Sequence, residues 1–275
     1  MNLSYLEATL TNLRAKWPDQ WPGMGVVVNQ ALQQLGYVEG MALSTQDQAL
    51  RNCIDSVIEM IEADGKAKHA AQQEPSYHNR LHFSDATVCL TALLLNQRIA
   101  SCQALDAPPS HSEWVAMLAI VSHDFLHTGK INQFPSEIEL HSIDALRPHM
   151  AQHGVAPEDQ QLIRELILKT DPSFVPACHE AVQGIEFNIN NPKCLTVLIQ
   201  ESDILASSLP GIGNQLTVQL SDEWADVSPE RSQSLLGTKS RIFFLRHMAL
   251  FSSPSSRLLG IQPIIDREIQ RLELG

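Results

Sequence analysis

Apolar residues recur three and four positions apart along almost the whole chain, and runs alternating with a period of two are rare. Such spacing predicts helices throughout, because positions three and four apart share one helix face. Leu3, Leu6, Leu10, Leu13 and Trp17 mark the apolar face of an opening helix that must stop before the prolines of 18–23. That face is expected to pack on the chain's own core; a homodimer contact is the alternative, although the run is short for a coiled coil. Further helices are expected at about 25–35, 46–72, 79–100, 112–126, 136–153, 158–170, 175–187, 193–208, 212–225, 229–250 and 262–273. Pro75, Pro108-Pro109, Pro135, Gly154, Pro172, Pro192, Pro210-Gly211, Pro229 and Pro254 separate them. Ser136 with Glu139 three residues on reads as a capping box, and Ser228-Pro229 puts proline at a first helical position. The pattern predicts an all-α, compact multi-helix bundle over 46–275, with 1–45 as an N-terminal helical appendage.

Composition narrows the class without naming a chemistry. A chain of 275 residues, 44% hydrophobic and 18% charged, is globular and long enough to bury a sizeable core. Its net charge of −12 argues against a sequence-independent grip on nucleic acid. A phosphate substrate is still allowed, because bound divalent cations reverse the local potential. Cys53, Cys89, Cys102, Cys178 and Cys194 are scattered and form no CxxC pair, so they read as buried, reduced thiols. The longest uncharged apolar stretch, 86–97, falls short of the roughly 20 residues that span a bilayer. The start of the chain lacks a basic segment followed by an apolar run. A soluble, cytoplasmic protein with neither membrane nor nucleic acid as partner is expected.

Candidate chemistry lies in three places. Tyr77-His78-Asn79-Arg80-Leu81-His82 carries histidines four apart, which would share a helix face. Ser122-His123-Asp124-Phe125-Leu126-His127 follows the apolar run 114–121, where a carboxylate costs several kcal/mol unless it is paired or coordinated. Asp203 sits on an otherwise apolar helix among Leu198, Ile199, Ile204 and Leu205. Each element alone is more often structural than functional; their order and spacing together point to a metal site, since imidazole and carboxylate suit zinc, iron or manganese.

An H…HD…D series in a helical chain resembles the HD superfamily of metal-dependent phosphohydrolases. Tyr77-His78-Asn79-x-x-His82 followed by His123-Asp124-x-x-His127-x-Gly129-x-x-Asn132 is similar to its class I cyclic-nucleotide phosphodiesterase branch. The resemblance runs from about Tyr77 to Asp203 and weakens towards 250. It implies that His82, His123, Asp124 and Asp203 hold the tighter of two divalent ions (zinc, iron or manganese). Asp124 would bridge to a second (magnesium or manganese), held largely by water. It implies that His78 is the general acid that protonates the leaving alkoxide and that His127 bonds water at the second ion. Ser136-x-x-Glu139-x-His141 resembles a family segment that would place Glu139 and His141 around the metals, and Thr170-Asp171 resembles a pair beside them, with Asp171 a catalytic candidate. A carboxylate such as Glu139 or Asp171 could fix an imidazole tautomer. The substrate would be a small phosphoester, with Tyr77, Arg241 and Phe244 as binding candidates.

The pattern departs from the family at several points. Arg80 replaces a tryptophan, Thr128 a proline, and 204–210 a short polar segment. Arg241-Ile242-Phe243-Phe244 is the nearest match to the run that carries the family's purine-reading glutamine. An amide donates and accepts, whereas a guanidinium only donates, so Arg241 at that position would favour an anionic or acceptor-rich group. A surface arginine and a core phenylalanine are the plain alternatives. Other functions stay open: a nucleotide phosphomonoesterase, a metal- or nucleotide-binding sensor without turnover, and an iron oxygenase on the same scaffold.

Overall fold

A computed structural model describes residues 1–274; Gly275 lies outside them. The described residues form fourteen α-helices and one short 3-10 turn, with no strand among them. In order these are α1 (Leu3–Lys16), α2 (Met24–Gln34), α3 (Thr45–Ala70), α4 (Arg80–Ala100), α5 (His111–Ser122), α6 (Glu137–Gln152), α7 (Pro157–Leu168) and α8 (Val175–Glu180). There follow α9 (Pro192–Ser208), α10 (Pro210–Trp224), α11 (Pro229–Leu235), α12 (Thr238–His247), α13 (Pro254–Leu259) and α14 (Ile261–Leu274). None is long and apolar enough to cross a membrane.

The bundle is organised around α4. Every residue from Arg80 to Arg98 is buried, because α1, α2, α5, α9 and α13 cover the helix from all sides. A helix enclosed in this way must be apolar or have its polar groups paired: in α4 Arg80, Asp85 and Arg98 are in ion pairs, and Thr87, Thr91 and Asn96 donate to main-chain carbonyls one turn back. The same holds for α5, buried from Glu113 to Ser122 through the run Trp114–Val121. The expected capping box at Ser136 does not form. Ser136 adopts a left-handed conformation (φ +59°), its hydroxyl donates to Leu168 O, and Glu139 instead accepts from Asn132. The capping box lies at Ser110–Glu113, and Glu113 also receives two bonds from the buried Arg98.

Several sequence-based boundaries shift. The helix expected over 112–126 stops at Ser122, leaving 123–127 as a turn; 175–187 shortens to α8; and 229–250 divides at Gly237 into α11 and α12. Helix α13, which the pattern does not reveal, packs on α4. Cys53, Cys89 and Cys194 are buried, but Cys178 is half-buried and Cys102 exposed; all five are free thiols.

The first 45 residues are not peripheral. Leu6, Leu10, Met24, Val28, Leu32 and Leu35 are buried in the same apolar cluster as α4 and α5. A bidentate ion pair reinforces the junction: Arg14 donates to both oxygens of Asp85 at 2.7 and 2.6 Å, and the Asp85 side chain is 1% exposed. Asp85 is one turn beyond His82, so α1 braces the start of the helix that carries His82. Replacing Arg14 with methionine leaves a buried carboxylate uncompensated. Equilibrium denaturation should show a loss of about 3–5 kcal/mol, most of it recovered in the Arg14→Met/Asp85→Leu double variant. An unchanged single variant would mean that 1–45 does not support the core.

Candidate metal centre

His82 lies in the first turn of α4, whose start is fixed by Asn79. The Asn79 carboxamide oxygen accepts from the backbone N–H groups of Leu81 and His82, and its nitrogen donates to Pro75 O and Ser76 O. Because the helix begins at Arg80, His78 precedes the cap and does not share a helix face with His82, contrary to the expectation from their spacing. His123 and Asp124 come from the turn that closes α5, and Asp203 from the middle of α9.

The four side chains converge. His82 Nε2 lies 3.2 Å from His123 Nε2, 3.3 Å from Asp124 Oδ2 and 3.3 Å from Asp203 Oδ1. His123 Nε2 is 3.1 Å from Asp124 Oδ2 and 3.4 Å from Asp203 Oδ1. His123 Nδ1 is 2.7 Å from Ile120 O and must donate to it, so Nε2 can present its lone pair to the cluster. Ligand atoms about 3 Å apart are what metal–ligand bonds of about 2.0–2.2 Å require, so this donor set fits a divalent ion. The electrostatics agree. Burial alone would lower the His82 pKa, but the Asp124 and Asp203 carboxylates push it up to about 9, and His123 rises well above its ordinary value for the same reason. Burial opposes ionisation of the two carboxyls, yet His123 and His82 hold both well below the usual carboxylate range. Where no cation sits, protons on the imidazoles balance the carboxylates.

His78 faces the cluster from the side. Its Nε2 is 3.9 Å from Asp124 Oδ2, and its ring stacks on His127 with centroids 3.7 Å apart. Its Nδ1 bonds Glu223 Oε1, while Glu223 Oε2 accepts from the backbone N–H groups of Tyr77 and His78 at 2.7 and 2.9 Å. Burial would raise Glu223, but His78 and these N–H groups bring it down to about 2. Glu223 therefore takes the orienting role that Glu139 or Asp171 was expected to fill. Its sequence offered no signal, since it stands with Asp222 and Asp226 in an acidic stretch at the end of α10.

Glu139 and Asp171 instead share one amide: Asn132 Nδ2 donates to both, at 2.9 and 3.0 Å. Burial pushes Glu139 up to about 7 against the Asn132 bond. Burial also opposes Asp171, but the N–H groups of Ser136 and Ser173 outweigh it and lower that carboxyl. His127 Nδ1 accepts from Gly129 N, leaving its proton on Nε2, and burial brings its pKa down to about 3. Thr170 donates its hydroxyl to Ile167 O beside the same space.

These groups open on a cleft of about 760 Å³, lined by His82, Asp124 and Asp203 of the cluster, with Ile204, Leu220, Trp224, Phe243 and Phe244 among its walls. Tyr77 lines it too, its hydroxyl 3.0 Å from Ser207 Oγ. His141 does not; it is exposed at a separate hollow beside Phe125 and Val227. Arg241 is buried behind the cleft wall. Its guanidinium donates to Ser207 O at the end of α9, reaches towards Leu209 O, and lies 5.4 Å from the centroid of the Phe244 ring. Gly213 permits this, since a Cβ there would stand 2.4 Å from Arg241 Nη2. Arg80 is likewise engaged elsewhere, in bonds to Glu74 and Glu62 and over the Trp17 ring.

No protein-family model matches the chain, and no curated protein does. Solved structures do. LmjPDEB1 in complex with IBMX superposes with a TM-score of 0.69 at 12% identity, over 96% of this chain and 90% of that one. The phosphodiesterase domain of Salpingoeca rosetta rhodopsin phosphodiesterase gives 0.58 at 17%, over 91% and 85%. The fold is a phosphodiesterase fold. At these identities it is the fold that is shared, and the site must be judged on its own geometry.

Removal of metal has a pH signature. His82 has a folded pKa above its unfolded 6.5, so the metal-free cluster's stabilisation is fully present below 6.5 and fades as pH rises through about 9. Its carboxylates, with lowered values, lose theirs only as pH falls below the ordinary Asp value of 3.8. Thermal melts of chelator-treated protein should drop between pH 6.5 and 9.5, whereas manganese-loaded protein should hold its Tm. Parallel curves would count against a metal at this cluster. Asp203→Ala should abolish stoichiometric metal uptake, read by elemental content.

Proposed function

We propose that the protein is a metal-dependent phosphodiesterase acting on a cyclic nucleotide or a related small phosphodiester. The carrying observation is the convergence of His82, His123, Asp124 and Asp203 at metal-ligand spacing beside a large, mostly apolar cleft. Likeness in fold to phosphodiesterase domains supports the same reading.

A phosphodiester resists attack because its oxygens are anionic, and divalent ions supply charge neutralisation, orientation of the group and activation of water. The four convergent side chains would hold the tighter ion, and Asp124, which also faces His78, would reach a second. The protein's own contribution is proton handling and placement. Glu223 fixes the His78 ring through Nδ1, which turns Nε2 towards Asp124 and the cleft. From there Nε2 can give a proton to the departing alkoxide. Stacking on His127 holds the same ring in plane. Asn132 joins Glu139 and Asp171 at the opposite edge, where they can accept from water around the second ion. Tyr77 and the apolar walls, Phe244 among them, exclude solvent and take the organic substituent. Arg241, held on the α9 carbonyls, acts on substrate indirectly, by placing Phe244 and Ser207.

Purified protein supplied with manganese should release nitrophenol from bis(p-nitrophenyl) phosphate, and chelator should stop it. Stoichiometric metal without release would turn the assignment to a monoesterase or a sensor. His78→Ala should retain metal yet slow turnover by roughly 10²–10⁴-fold; full activity would remove His78 from the acid role. Glu223→Gln should also slow kcat with little change in metal content, but by less than loss of His78 itself.

A further inference from the structure

Arg80 stands where the family pattern carries a tryptophan, and its side chain is 5% exposed. Nε and Nη2 donate to the two oxygens of Glu74 at 2.8 and 2.9 Å, a bidentate pair, and Nη1 donates to Glu62 Oε2 at 3.3 Å. The Trp17 ring covers the guanidinium, with its centroid 5.1 Å from Arg80 Cζ. Gly65 on α3 leaves room for it, since a Cβ there would stand 2.4 Å from Arg80 Nε. Stability alone does not call for this arrangement, because well-packed apolar side chains often serve a buried site as well as an ion pair does. What a bidentate pair adds is a fixed geometry.

The geometry it fixes is that of the turn carrying His78. Glu74 and Arg80 bracket residues 75–79, and Glu74, His78 and Arg80 all line one small hollow beside Phe83 and Phe125. Inside the turn, Asn79 donates to Pro75 O and Ser76 O, while Glu223 accepts from Tyr77 N and His78 N. Those bonds shape the turn; the Glu74–Arg80 pair joins its two ends. Glu62 seats the pair against the N-terminal part of the chain, since its Oε1 accepts from Trp21 Nε1 and Met24 N at 2.8 and 2.7 Å. A tryptophan at position 80 could fill the space but could not tie Glu74.

We propose that Arg80 is a positioning residue for proton transfer by His78. With Glu74 it clamps the two ends of the turn that carries His78, and Glu62 and Trp17 seat that clamp against residues 17–24. This rests on reading His78 as the general acid of a phosphodiesterase; the metal ligands do not depend on it.

The test uses the manganese-loaded full chain and two diesters, bis(p-nitrophenyl) phosphate and diphenyl phosphate. Nitrophenolate departs with little help from an acid, whereas phenolate needs more, so the pair isolates the proton step. Arg80→Met should keep its metal content and KM, yet lose roughly 10–100-fold in kcat on diphenyl phosphate and clearly less on the nitrophenyl ester. Arg80→Lys, which keeps the charge but cannot engage both Glu74 oxygens, should fall between. In a His78→Ala background, where no acid remains to be placed, Arg80→Met should cost nothing further. Glu74→Gln, which loosens the other half of the clamp, replaces Arg80→Met should that variant not fold. Equal losses on the two diesters, or a penalty that persists undiminished without His78, would overturn the proposal and leave the pair as internal support. Wild-type kcat in Arg80→Met would overturn it as well. Wild type that hydrolyses neither diester overturns the phosphodiesterase reading and this inference together; an active wild type with any of those contrary results overturns the inference alone.

Discussion

Two imidazoles and two carboxylates, largely removed from water, face one another at 3.1–3.4 Å where the buried helices α4, α5 and α9 meet the cleft. Such an arrangement is unfavourable unless positive charge sits among the groups, as protons on the imidazoles or as a metal ion. Much of the architecture serves to hold them there. Helix α4 delivers His82 at its first turn, the end of α5 delivers His123 and Asp124, and α9 delivers Asp203. Each helix is anchored by apolar side chains on the faces turned away from the cluster. The four side chains therefore stand on, or directly at the end of, helices held rigidly by the core.

A second layer of polar contacts carries that rigidity outwards. Glu223 on α10 ties the segment before α4 by three bonds, so the position of His78 depends on a helix some 145 residues away in sequence. Asn132 does the same for Glu139 and Asp171. Arg14 grips Asp85 one turn above His82, which makes the N-terminal helices part of the support. In each case a buried carboxylate is matched by a specific donor, and all but the Asn132–Glu139 bond join distant parts of the chain.

Two arginines that stand out as departures from the family pattern have structural occupations. Arg80 joins Glu74 and Glu62 against Trp17, and Arg241 closes the carboxyl end of α9 while lying near Phe244. The cation at the end of α9 sits where the helix dipole is negative.

The sequence by itself determined the helical class and the four candidate ligands, because periodicity and motif spacing are local properties. Leu3 to Leu13 read correctly as a core face for the same reason. It could not show that 1–45 shares the main core, since which surface an apolar face meets is a property of the assembled bundle. His78 and His82 looked like partners on one helix because spacing alone does not reveal that Asn79 starts the helix between them. Glu223 was invisible, being one acid among several until tertiary packing buried it against the Tyr77–His78 backbone. Arg241 read as a substrate group from its motif position, whereas the close approach allowed by Gly213 turned it onto main-chain carbonyls. Residue type and spacing thus nominate the chemistry; burial and partner choice, which involve residues far apart in the chain, decide which nominated groups reach the site.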